Sequence, residues 1–139
     1  MVTTREPGGA PAAEEIRALL VSGAVHRWSP VAESLLHYAA RREHLNATIL
    51  PALAAGAWVV CDRFADSTMA YQGYGHGCGR AFVEALHALT IGTVRPDLTL
   101  ILDLPVAMGL ARTRSRAGTG EGTGASGEDR YERMNQAFH

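Results

Sequence analysis

"AWVVCDRFADSTMAYQGYG", residues 57–75, runs from an apolar stretch straight into an acid–base pair, Asp62 and Arg63, and then into hydroxyls, aromatics and glycines. A short apolar run bounded by polar residues reads as a buried strand over 57–61, and the charged pair then marks the strand's end. Working outward, residues 1–4 read as the tail of another strand. REPGG (5–9) follows as a sharp turn, because Pro7 fixes its own φ and two glycines permit positive φ. The spacing of Ile16, Leu19 and Leu20 predicts a helix from about residue 12 to Gly23. A second helix has Ser29 as N-cap and Pro30 at its first position, with Leu35, Tyr38, Leu45, Ile49 and Leu53 in one stripe. Pro51 is expected to kink or interrupt it, and Gly56 to end it. His37, Arg41 and His44 form a polar ridge on its flank. Downstream come a helix over 80–91 with Phe82, Leu86 and Leu89 on one side, the turn RPD (95–97), and LTLILDL (98–104). That last run reads as a strand buried on both faces. A helix is expected over 107–116, then a glycine-rich segment over 117–128 that forms no core and reads as a flexible insert. Strands alternating with helices define an α/β fold, a parallel sheet sandwiched by helices, in one domain over 1–139.

Composition narrows the function. The 139 residues, 47% apolar, suffice for one modest core. The formal net charge is −1, from 13 basic against 14 acidic side chains, so no global field draws the molecule to nucleic acid or to a membrane. All of the basic side chains are arginines; there is no lysine. Cys61 and Cys78 show neither metal-ligand spacing nor a disulfide framework, which fits a reducing cytoplasm. No stretch approaches the roughly 18 apolar residues of a membrane span.

In a parallel α/β sheet, ligands gather outside the carboxyl ends of the strands. Arg5 and Glu6, Asp62 and Arg63, and Asp103 all fall at such ends. Guanidinium forks bind phosphate through paired hydrogen bonds, so Arg5, Arg41 and Arg63 are the anion hands, and nearby carboxylates suit a metal or a hydroxyl. The combination fits phosphoryl transfer, which needs positioning and spread positive charge. Taken singly, each feature has a plainer reading: a tight turn for REPGG, a surface ion pair for Asp62 and Arg63, solvated histidines at 37 and 44. Their joint occurrence, in order, at strand ends favours a site.

TREPGG (4–9), YAARREHL (38–45), DRFADSTMAYQGYG (62–75), RPDLTLILDLP (95–105) and GLARTRSR (109–116) together resemble bacterial thymidylate kinase, in order and in spacing. The resemblance implies a P-loop nucleoside monophosphate kinase-like fold. It also implies transfer of the γ-phosphoryl of ATP to dTMP with Mg²⁺, and a homodimer at full length. Arg63 would grip the dTMP phosphate with Arg5 beside it. Arg41, Thr68 and Gln72 would approach the base, Tyr71 the sugar, and Glu6 and Asp62 the metal and phosphates, in part through water. His37 stands where the family usually places a phenylalanine against the thymine ring. Arg116 and Arg130 would be lid arginines that fold onto the phosphates of ATP.

The family's phosphate loop, G-x-x-x-x-G-K-[ST], is absent, as is any lysine. The chain is therefore expected to be an internal portion of a thymidylate kinase, without the central first strand and the C-terminal end. The alternatives are a non-catalytic nucleotide-binding remnant, or a related deoxynucleotide kinase of different base preference.

Overall fold

The computed structural model describes residues 1–109, 111, 112, 130 and 131. Strand β1 spans Val2–Arg5 and β2 spans Val59–Asp62; they pair in parallel, with Val2 opposite Val59 and Arg5 opposite Asp62. This register sets Arg5 beside Asp62 at the carboxyl end, and Glu6 N donates to Asp62 O at 2.9 Å just beyond it. Both strands alternate half-buried with exposed residues. The expectation of a fully buried strand over 57–61 is thus corrected: pairing starts at Val59, and Trp58 and Val60 are exposed. Successive strand side chains point to opposite faces, and only the face carrying Val59 is packed against the core.

The run 98–104 is corrected more sharply. It forms no strand, and Leu98, Leu100, Ile101 and Leu102 are exposed, Leu102 at 94%. Apolar composition reports what a segment is able to bury, whereas a strand exists only through a ladder partner. Among the described residues the sheet contains β1 and β2 alone.

Helix α1, Pro11–Val21, opens on a proline whose missing N–H costs nothing there, and it buries Ala13, Leu20 and Val21. Helix α2, Pro30–His44, is capped as expected by Ser29, whose Oγ accepts from Ala32 N at 3.3 Å. It continues through a π-helical segment, Leu45–Ile49, into α3, Leu50–Ala54. The break expected at Pro51 takes this form. Leu50 N reaches back to Leu45 O, a widened turn placed just before the residue whose ring would crowd an α-helical carbonyl.

Tyr38, Leu45 and Ile49 pack against Val83, Leu86 and Ile91 of α5, Arg80–Ile91, to form the main core. Leu35 at the edge of the expected stripe, and Leu53 beyond the π-helical segment, are exposed; so is Leu89, at 85%, while Val83 and His87 take the buried face of α5. Between β2 and α5 the chain forms α4, Ala65–Thr68, and a second π-helical segment, Met69–Gly75. Residues 106–109, 111 and 112 are helical. Arg116 and the glycine-rich insert over 117–128 lie outside the described residues. No helix among the described residues is long and apolar enough to cross a membrane.

Candidate functional site

The chain between the strand ends and α2 is knitted around Glu6, the first residue after β1. Its carboxylate is buried and holds two partners at once: Arg41 Nε donates to Oε2 at 2.7 Å, and His44 Nδ1 lies 3.2 Å from Oε1. Arg41 is 2% exposed and His44 is 0% exposed, so the polar ridge expected on the flank of α2 instead faces inward. Period alone places residues on a face; it does not reveal that an acid from another element waits beneath. His44 Nε2 in turn contacts Thr4 Oγ1 at 2.6 Å, and Thr48 Oγ1 donates to Gly9 O at 2.8 Å.

This knot leaves no room at Gly9. With φ +81, a Cβ there would sit 2.4 Å from both Thr4 Oγ1 and His44 Nε2. Gly9→Ala is expected to lower stability by about 2 kcal/mol or more, from backbone strain plus collision with buried side chains. Urea unfolding checks this.

Arg41 is the centre of the site. Its guanidinium lies over the rings of Tyr38, at 4.6 Å, and Phe64, at 5.2 Å, and Nη2 donates to Thr68 Oγ1 at 2.9 Å. Nη1 is buried and has no hydrogen-bond partner. A guanidinium donor so enclosed is costly unless a ligand acceptor meets it.

Two rows of side chains face one another across this space. Glu33, His37 and Arg41 follow at i, i+4 and i+8 on α2. Thr68, Gln72 and His76 follow at the same spacing, on α4, on the π-helical segment and just past its end. They engage in antiparallel order: Thr68 with Arg41, and Gln72 and His76 with Glu33. His37, between them, bonds through Nε2 to Tyr131 OH at 2.8 Å. Tyr131 also stands edge-on to Tyr71, with ring centroids 5.7 Å apart. Arg63 lies over the Tyr71 ring at 5.4 Å, and its backbone is held at φ 66, a left-handed conformation that non-glycine residues seldom adopt.

Burial foremost, and then Arg41, push the imidazole of His37 down to about 3 from its ordinary 6.5. A histidine held neutral in the folded state contributes stability that is whole above 6.5 and fades as the pH falls from there towards 3. His37→Phe should therefore flatten the decline in urea midpoint between pH 7 and pH 5. An unchanged decline would remove His37 as its source.

The site thus gathers Glu6, His37, Arg41, Thr68, Tyr71 and Gln72, with Arg63 at its edge. Arg5 shares the strand end, but its guanidinium is half-exposed and turned to Glu14, 3.4 Å away. Arg130 is not brought to the strand ends at all. It is buried, with Nη2 on Glu33, Nη1 on Leu20 O at 3.0 Å, and Nε between Ala24 O and Val25 O. Glu33 and Tyr131 escaped the sequence reading, and His44 was read only as part of the polar ridge. The matching spacings 33/37/41 and 68/72/76 were the signal available for Glu33.

For Mg²⁺, the described residues contain no group of three His, Cys, Asp or Glu side chains able to hold a metal. Glu6 is committed to Arg41 and His44. Asp62, exposed at the end of β2, fits the single carboxylate by which hydrated Mg²⁺ is commonly held beside substrate phosphates.

Polar groups gathered at the carboxyl end of parallel strands define the α/β class that takes its ligands at strand ends. The thymidylate kinase family model matches residues 1–139. The thymidylate kinase of Caulobacter vibrioides is 52% identical over 139 residues, covering 100% of this chain and 62% of that protein. That of Geobacter sulfurreducens is 47% identical, covering 100% of this chain and 64% of that protein. The crystal structure of thymidylate kinase from Ehrlichia chaffeensis superposes with a TM-score of 0.68 at 40% identity, covering 86% of this chain and 62% of that one. The chain belongs to the thymidylate kinase family, and its fold is the expected one. It spans a little over three-fifths of the length of these relatives.

Proposed function

We propose that this chain forms the dTMP-binding part of a thymidylate kinase, which transfers the γ-phosphoryl group of ATP to dTMP to give dTDP for dTTP synthesis. The observation that carries this reading is the buried, unpartnered Nη1 of Arg41, framed by Thr68 and by the row that includes Gln72. A pyrimidine carbonyl supplies the missing acceptor. His37 then flanks the base, Tyr71 lies at the sugar, and Arg63, with Arg5 on the neighbouring strand tip, takes the 5′-phosphate. Asp62 faces the phosphates and their Mg²⁺, whose charge assists transfer when it is bound. Arg116 is assigned to the phosphates of ATP on family grounds. Arg130, engaged with Glu33, is assigned to anchoring. A homodimer and a cytoplasmic location belong to the same proposal.

Calorimetric titration tests it. The chain is expected to bind dTMP more tightly than thymidine, the difference lying in Arg63. With no G-x-x-x-x-G-K-[ST] stretch, these 139 residues should form no ADP from ATP and Mg²⁺. A folded chain that binds dTMP no better than dGMP would overturn the reading.

A further inference from the structure

Glu33 lies on the first turn of α2 with 0% exposure. A carboxylate removed from water is destabilising unless several donors meet it. Here two do, from separate stretches: Arg130 Nη2 on Oε2 and Gln72 Nε2 on Oε1 at 2.7 Å, with His76 Nε2 close by at 3.2 Å from Oε1. Burial raises its carboxyl, and the bonds from Arg130 and Gln72 outweigh that, so its pKa is lowered from the usual 4.5.

The chemical consequence falls on Gln72. A primary amide has a donor end and an acceptor end of nearly equal shape, and a carboxylate only accepts. Facing Glu33, Gln72 must present its NH₂, so its carbonyl Oε1 is the end left for a ligand. At 1% exposure the side chain has little water with which to trade one orientation for the other. One turn earlier, Thr68 engages Arg41, whose Nη1 remains a free donor. The site thus offers a fixed donor and a fixed acceptor. A base with a 4-carbonyl and an N3–H, such as thymine or uracil, matches that pair; cytosine, with a 4-amino group and a bare N3, opposes it at both points.

We infer that Glu33 is a positioning residue: by fixing the orientation of the Gln72 amide it makes the site select 4-oxo over 4-amino pyrimidine nucleotides. This rests on the base-binding reading of Gln72 proposed above.

The test compares wild type with Glu33→Gln, whose amide no longer dictates which end of Gln72 it receives. A Glu33→Met/Arg130→Met pair, which removes the buried ion pair as a unit, serves as a second variant. Titration with dTMP and with dCMP should show the dTMP-over-dCMP ratio falling about tenfold, largely through gain of dCMP binding. In ¹⁵N spectra, the Gln72 side-chain NH₂ protons should exchange slowly in wild type and at least about tenfold faster in the Met pair. A purely structural Glu33 would weaken both nucleotides alike and leave the ratio unchanged, which overturns the inference. Wild type binding neither nucleotide would sink the base-site reading itself, and the selectivity claim with it. The NH₂ exchange needs no nucleotide, so it separates the two failures.

Discussion

Replacing Arg41 by methionine should abolish dTMP binding and lower stability by about 3–5 kcal/mol, the usual effect of leaving a buried charge without its partner. The guanidinium is enclosed between Tyr38 and Phe64 and donates to Glu6 and to Thr68. Without it the Glu6 carboxylate, itself buried, keeps only His44, 3.2 Å away, among the described residues. Lysine is no substitute. One ammonium cannot reach Glu6, Thr68 and a ligand in the planar arrangement that the fork spans. Pairing Arg41→Met with Glu6→Gln should restore much of the lost stability in urea unfolding and none of the binding in calorimetry. That pattern separates the guanidinium's two tasks. An Arg41→Met protein as stable as wild type would refute the account of the knot around Glu6.

The second large loss is expected from Arg130→Met, again about 3–5 kcal/mol, because Glu33 would be left buried without its guanidinium partner. Arg130 also serves α1. The last turn of that helix carries no basic residue of its own, and its end is met instead by Arg130, through Leu20 O and the backbone bond from Arg130 N to Val21 O at 3.4 Å. A cation at a helix C-terminus satisfies orphan carbonyls and opposes the helix dipole. Trp28 reports on the same region, since its Nε1 donates to Leu19 O at 3.0 Å. Its fluorescence should shift in Arg130→Met at a denaturant concentration where wild type is unchanged. Glu33→Met combined with Arg130→Met should regain most of the midpoint. If single and double variants both match wild type, the buried pair contributes nothing.

Local periodicity made the helices legible. Helix α5 falls on the residues read for it, and Ser29 caps α2 as its chemistry requires. The polar ends of β1 and β2 were also readable, because an apolar run that stops at an acid–base pair has one sensible place in a parallel sheet; Asp103 follows no strand. Three things were not. The inward turn of Arg41 and His44 depends on Glu6, 35 and 38 residues away, and no window along the sequence contains both ends of such a pair. The run 98–104 is as apolar as a buried strand, yet pairing is a property of two segments and cannot be read from one. Arg130 was read as a lid arginine from the family resemblance alone, whereas the acid that binds it sits 97 residues earlier.

The backbone at Arg63 bears on what selection would do to this protein. An L-residue held at φ 66 carries about 1 kcal/mol or more of strain that glycine would not. A heat-tolerance screen blind to ligand binding should therefore enrich glycine or asparagine at 63, discarding the proposed phosphate grip. A screen that demands retention of dTMP should keep the strained arginine and find its gains elsewhere. The two libraries, sequenced side by side, would show whether this conformation is retained for chemistry or is an accident of the turn.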